Sequence, residues 1–342
     1  MHQPLKLMCS KHALASNWRS LVERAGVPAA AAVKANAYGL GAAEVVLTLA
    51  EAGCRDFLVS SWWESEGLRK VAPPGSIAVL HGIGPDDLPA AMVSDARPVL
   101  NTVEQAARWR EHAGGRCCDV MIDTGMNRLG LRPDQLDHLN GLQIHTLHSH
   151  LACADEDHAL NALQLTRFRE VASAVQAVRY SLANSAGIYL GREFSFDLVR
   201  PGLALYGGIP RAEARGEITQ VAQLQAQVVQ RRTIMAGETC GYGATFHADR
   251  NTEAAIINIG YADGYWRGFS SVGSGEASGT KLPVLGRVSM DLIVLSCDAL
   301  PSLAEGEWVS IDFALEQAAQ RSGMSQYELL TGLGRRFNRV WH

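Results

Sequence analysis

No stretch of this sequence approaches the roughly 18 uninterrupted apolar residues that a membrane-crossing helix needs. Its opening, Met1-His-Gln-Pro-Leu-Lys-Leu-Met-Cys9, has neither a long apolar core nor a small-residue cleavage site, so the chain reads as cytoplasmic. Runs of basic residues are missing too, and with a formal net charge of −4 nothing invites nucleic acid or an anionic membrane as a partner. The seven cysteines, Cys9, Cys54, Cys117, Cys118, Cys153, Cys240 and Cys297, are odd in number and show no C-x-x-C spacing. That argues against a disulfide framework and a zinc site, and for reduced, mostly buried small side chains. A repeat of fixed period and a low-complexity tract are equally absent. What remains is 342 residues with 47% hydrophobic content, enough to fill one large barrel and a smaller second domain.

The pattern over the first two-thirds is strand, helix, strand, helix. Apolar runs at 56–60, 76–81, 98–100, 118–123, 142–150 and 180–183 read as strands, and residues 197–202 close the series. Helical spacing occupies 11–24, 42–52, 64–71, 85–94, 103–113, 133–139 and 158–177. About eight such alternations over roughly 200 residues predict a (β/α)8 TIM barrel rather than an open doubly wound sheet. Beyond Gly207 the texture changes to short alternating runs between glycine turns, with strands expected at 225–232, 254–259, 282–288 and 308–311 and a late helix at 325–333 capped by Ser325. The expected division is a barrel over 9–215 and a β-rich domain over 216–342, joined by an N-terminal strand within residues 1–8, with Pro210–Gly216 as the linker.

Within the barrel, the stretch Pro28-Ala-Ala-Ala-Ala-Val33-Lys34 has the profile of a buried parallel strand, broken after the lysine at Asn36, Gly39 and Gly41. Lys34 thus falls at a strand's C-terminal end, where a barrel keeps its chemistry, and an amine among alanines is placed to lose solvation and act as a nucleophile. For a lone lysine, snorkelling to solvent is the commoner fate. Here further strand ends carry polar residues to the same mouth: Tyr38 beside Lys34, then Arg128, His150, Asn184-Ser185 and Arg200-Pro201-Gly202. Each alone has a bland explanation as a turn, a surface ion pair or a core histidine. Their joint position makes coincidence the weaker account.

The ordered segments Val33-Lys-Ala-Asn-Ala-Tyr-Gly-Leu-Gly41, Asp123-Thr-Gly-Met-Asn-Arg-Leu-Gly130, Ser149-His-Leu-Ala-Cys-Ala-Asp-Glu156, Asn184-Ser-Ala186 with Asp197-Leu-Val-Arg-Pro-Gly202, Gly241-Tyr-Gly-Ala-Thr-Phe246, Gly260-Tyr-Ala-Asp-Gly264 and Gly286-Arg-Val-Ser-Met-Asp291 resemble the motifs of the alanine racemase family along almost the entire chain. The resemblance implies a homodimer of barrel and β-rich domains that uses pyridoxal 5′-phosphate to interconvert L- and D-alanine, the latter a peptidoglycan precursor. It makes Lys34 the lysine that binds the cofactor covalently. Tyr38, Asn184, Ser185 and the backbone at Gly202 and Leu203 become cofactor contacts, mainly to its phosphate, in keeping with the phosphate site that the last loops of such barrels form. Arg200 resembles the arginine facing the pyridine nitrogen, with His150 in its network. Tyr242 resembles the catalytic tyrosine supplied by the partner subunit, and Arg128, Tyr261 and the Met290 backbone the groups around the substrate carboxylate. Racemisation needs a base on each face of the α-carbon, and Lys34 and Tyr242 are the implied pair.

Two departures stand out. Many members carry a carbamylated lysine that orients the arginine matched by Arg128, and here that position is Met121, which leaves a bound anion or Asn127 as the expected orienter. Arg335 falls where some members have a tyrosine near the catalytic one. Other readings are a racemase of serine or another small amino acid, a non-catalytic pyridoxal phosphate carrier or regulatory protein, and a barrel enzyme of phosphorylated sugars. A basic amino-acid decarboxylase is disfavoured, because no glycine triplet is present and Cys297-Asp298 lacks that motif's context.

Overall fold

The structure, a computed structural model, describes residues 2–342. The chain divides into two compact units. One comprises Ala13–Ala37 and Gly41–Thr219; the other gathers the N-terminal residues through His12, Tyr38–Leu40 and Gln220–His342.

The first unit is the barrel. Seven parallel strands follow one another in chain order: Ala31–Ala32, Phe57–Val59, Ile77–Val79, Arg97–Leu100, Cys118–Met121, Ile144–His148 and Arg179–Ser181. Nearly every residue in them is buried, as strands covered on both faces require. Closure comes from residues 197–201, which make bridges rather than a regular strand. Val199 pairs with Ala29 and Arg200 with Asn184, and the Ala30 and Ala32 N–H groups donate to the Val199 and Pro201 carbonyls. Ala30, Leu58, Ala78, Val99, Met121 and Leu198 pack together as a core cluster of buried side chains. Two outer helices start as their sequences dictate: Ser61 caps Trp62–Leu68 and Thr102 caps Val103–His112 through side-chain oxygens.

A charged network runs from the start of the barrel strands to His148. Arg97 and Arg179 both pair with Asp56, and Asp119, almost fully buried, takes Arg97 at 3.2 Å, His148 at 3.4 Å and His145 at 3.6 Å. Burial works against the Asp119 carboxylate, but the histidine hydrogen bonds and Arg97 outweigh it and hold its pKa far below the usual range. Asp56, Arg97 and Arg179 stand at or just before strand starts, which marks their part of the network as structural, whereas His148 ends its strand.

The barrel unit extends past the expected linker. Arg211 pairs with Asp157 at 2.6 Å, Ala212–Ala214 forms a 3-10 turn, and the Asn17 side chain holds both the N–H and the carbonyl of Thr219. These bonds carry the boundary to Thr219.

In the second unit, the sheet runs in the order Thr280–Pro283, Ser274–Ala277, Trp308–Ile311, Ala222–Ile234, Leu5–Cys9 and Asn338–Trp341. Thr252–Ile257 pairs with both Ala222–Ile234 and Ile293–Ser296. The N-terminal strand thus lies between the long strand and the C-terminal one. Ser325 and Glu328 form a capping box at the start of Gln326–Thr331. No helix among the described residues is long and apolar enough to cross a membrane.

Candidate active site

Lys34 follows the short strand Ala31–Ala32 directly, after the Val33 N–H donates to the Leu58 carbonyl. The break expected at Asn36 is a left-handed turn: Ala35, Asn36, Ala37 and Tyr38 have φ of 53, 54, 52 and 53°. A residue with a Cβ costs about 1–2 kcal/mol in that region, so the turn exists only because other bonds hold it. The Ala37 N–H donates to Val33 O at 2.8 Å, and Asn36 accepts from Gly41 N–H through its backbone and from Ala42 N–H through its side chain. Glu64 adds the bond that neither the lysine motif nor strand periodicity reveals. Its two carboxylate oxygens accept Ala35 N–H at 2.7 Å and Ser60 N–H at 2.6 Å.

Lys34 is half-buried. Burial first, and then Arg128, push its pKa below the ordinary lysine value, while Glu64 pulls the other way. The amine is therefore easier to have in its basic form than a surface lysine.

Ser185 is buried, and its hydroxyl oxygen accepts N–H groups from Gly202 at 2.9 Å and Ala204 at 3.2 Å. With its oxygen so used, the hydroxyl retains a proton to donate. Gly202 precedes the 3-10 turn Leu203–Tyr206, and the N–H of buried Leu203 donates to no group within the described chain. An unspent buried N–H beside a serine hydroxyl at a turn start suits a phosphate. Asn184 spends its side-chain oxygen on Gly187 N–H at 2.9 Å and pairs its backbone with Arg200.

Arg200 is buried, and its guanidinium donates to Ser181 Oγ, to the Ser149 and Leu182 carbonyls and, at 3.5 Å, to His150 Nδ1. Burial lowers its pKa to about 10, which still leaves it charged at neutral pH. His150 is pushed down to about 3 by burial and then by Arg200, Arg128, Lys34 and His148. A neutral ring whose Nδ1 accepts carries its proton on Nε2. Gln164, fully buried and unnoticed in the sequence, steadies this end: it donates to the His150 carbonyl and to Thr124 Oγ1 and accepts Ala152 N–H.

The Thr124–Arg128 loop is built on Asp123, whose Oδ1 accepts the N–H groups of Gly125, Met126 and Asn127. Asn127, offered above as an orienter of Arg128, contributes its backbone N–H and a left-handed φ of 55°, and its side chain makes no hydrogen bond to Arg128 among the described residues. Met121 belongs to the core cluster. Arg128 itself is exposed.

The remaining candidates lie in the second unit. Tyr38 is buried, its ring centroid 6.1 Å from that of Tyr327; burial and then Tyr327 raise its pKa, so the phenol keeps its proton. Gly39, at φ +86°, packs on the Leu330 carbonyl, where a Cβ would come within 2.5 Å. Tyr242 opens a 3-10 turn between the short strands Thr239–Cys240 and Phe246–His247 and is 67% exposed. Tyr261 and Met290 are brought together: Tyr261 N–H donates to Ser289 O and Ala262 N–H to Met290 O. Arg336 ties the same two loops by a two-pronged bond to buried Asp263 and a bond to Asp291. Arg335 is exposed.

Residues 9–210 match the family model described as "Alanine racemase, N-terminal domain", and residues 221–341 match "Alanine racemase, C-terminal domain". Among curated relatives, the protein named as the catabolic alanine racemase of Agrobacterium fabrum is 44% identical over 91% of this chain and 85% of its own length. The alanine racemase of Rhizobium meliloti is 40% identical over 96% of this chain and 94% of its own. Among solved structures, the alanine racemase of Bartonella henselae with covalently bound pyridoxal phosphate superposes with a TM-score of 0.92 at 34% identity, covering all of both chains.

Proposed function

The chain belongs to the alanine racemase family, and on that premise we propose that it interconverts L- and D-alanine with pyridoxal 5′-phosphate held at the barrel mouth by Lys34. The observation that carries the proposal is an amine disfavoured as ammonium, standing in the field of Arg128 at the same barrel end as Arg200 and His150. When bound, the cofactor supplies the electron-withdrawing ring that makes the α-proton of the amino acid removable.

Lys34 holds the cofactor and, once freed by substrate, takes or returns the α-proton on one face, which we assign to D-alanine. Its lowered pKa favours the basic form that this step needs. Tyr242 is the acid–base on the opposite face and acts on L-alanine. Its exposure in a single chain supports its contribution to a second copy, so the working unit is a homodimer in which each site takes one residue from each chain. His150, neutral with its proton on Nε2, passes a donor from Arg200 toward that tyrosine. Arg200 would offer the cofactor's ring nitrogen donors alone, so it would not stabilise a protonated ring as a carboxylate would. Ser185, Leu203 N–H, Gly202, Asn184 and Tyr38 hold the phosphate end, while Arg128, Tyr261 and Met290 receive the substrate carboxylate and close the pocket. A cytoplasmic setting belongs to the same proposal and is supported by seven free cysteines.

The test is α-proton exchange in deuterium oxide with L-alanine, D-alanine and L-serine, following optical rotation and the cofactor's absorbance in the same samples. Exchange with racemisation of alanine, and much slower serine, is expected. Cofactor absorbance without exchange would leave a carrier protein instead.

A further inference from the structure

Ser61-x-x-Glu64 has the spacing of a capping box, in which the glutamate returns to the N–H of the capping residue. Half of that box forms: the Ser61 hydroxyl accepts Glu64 N–H at 3.4 Å. The glutamate does something else. Its carboxylate reaches past the cap to Ser60 N–H and crosses to the neighbouring loop, where it takes Ala35 N–H, the first amide after the lysine. Ala35 is also the first of the four left-handed residues.

We propose that Glu64 is a positioning residue for Lys34: by accepting Ala35 N–H and Ser60 N–H at once it locks the left-handed turn that aims the amine, and it sets a fixed anion beside that amine. This rests on the assignment of Lys34 as the cofactor lysine. Two properties of a carboxylate are used together. It accepts at both oxygens, whereas an amide of the same length turns an N–H₂ toward one of the two N–H donors. It also carries charge, which opposes the effects of burial and of Arg128 on the lysine. Arg128, Glu64 and, through its response to the lysine's charge, His150 are the titratable or charged groups that sense Lys34.

Two variants separate the clamp from the charge. Glu64→Asp keeps the anion but is one methylene too short to span both amides; Glu64→Gln keeps the length and loses the charge. The holoenzyme of each is first reduced with borohydride and mapped by mass spectrometry. Attachment at a lysine other than Lys34 would overturn the site assignment and this inference with it. With Lys34 labelled, two readouts decide: release of pyridoxal phosphate into excess scavenging apoprotein, and the acid limb of kcat for D-alanine, which reports the lysine amine once substrate has freed it. Both variants are expected to release the cofactor about tenfold faster, the equivalent of losing one charge-assisted hydrogen bond. Only Glu64→Gln is expected to shift the acid limb, downward by about half a pH unit, because removing the anion makes the ammonium easier to deprotonate. Release at the wild-type rate in both variants, or faster release with the limb unmoved in Glu64→Gln, would refute the proposal.

Discussion

Replacing Ser185 by alanine tests the phosphate cradle from two directions. The Ser185 oxygen accepts two backbone N–H groups, from Gly202 at 2.9 Å and Ala204 at 3.2 Å, and the side chain is 2% exposed. Alanine strands both donors in a place where water has little room. Each buried donor left unsatisfied costs about 1–3 kcal/mol, and since the second bond is long, about 2–4 kcal/mol of barrel stability is expected to go. The serine proton is lost as well. If it donates to the cofactor's phosphate, a charge-assisted bond of about 1.5–3 kcal/mol disappears, which weakens cofactor binding roughly 10- to 100-fold. Urea denaturation of the apoprotein reports the first effect, and hydrogen exchange across residues 202–206 localises it. Titration with pyridoxal phosphate reports the second. An apoprotein within about 0.5 kcal/mol of wild type would refute the internal role, because surface-like tolerance is incompatible with two stranded buried amides. Lost stability with unchanged cofactor affinity would refute the phosphate role alone.

Lys34→Ala is expected to abolish covalent cofactor attachment, seen as loss of the visible absorbance band, and racemisation with it. Tyr242→Phe should retain the band while losing exchange of the L-alanine α-proton, and full exchange would remove the two-base assignment. Mixing and reassorting these two inactive chains should restore about a quarter of wild-type activity, since half of randomly paired dimers are mixed and each has one intact site; no recovery would argue that the tyrosine acts within its own chain. Acid stability follows from the histidines. His148 and His150 have folded pKa values of about 4 and about 3, both depressed chiefly by burial. The unfolded chain therefore binds protons that the folded one refuses below about pH 6.5, and stability is full above that value and falls toward pH 4 by up to about 1.4 kcal/mol per pH unit for each histidine. A His148→Gln variant should show a flatter decline between pH 6.5 and 4 by chemical denaturation, and an equally steep one would contradict the burial argument.

Periodicity and strand-end placement were legible from the residues alone. The barrel alternation, the β-rich second unit, the Ser325 cap and the placement of Lys34, His150, Ser185 and Arg200 toward one end follow from local pattern, because a buried parallel strand must be apolar until it stops and only its end can carry a polar side chain to a ligand. The same pattern left other things open. Residues 197–202 read as the closing element of the barrel, which 197–201 form through bridges rather than a regular strand, and the boundary lies at Thr219 rather than near 215 because Asn17, about two hundred positions away, holds that residue.

Tertiary structure alone decided how the site is held. Left-handed φ at Ala35, Ala37 and Tyr38 runs against the preference of those side chains, and no local signal could forecast the bond from Glu64 that helps to hold the turn. Gln164 and Arg336 were equally hidden, since a glutamine in a helix and an arginine near a C-terminus acquire meaning only from the carbonyls and carboxylates that the fold brings to them. The sequence by itself determined which groups are candidates for the chemistry, because that chemistry needs particular atoms; the fold decided which groups hold them, because a hydrogen bond needs only a donor and an acceptor at the right separation, and many residue types can supply either.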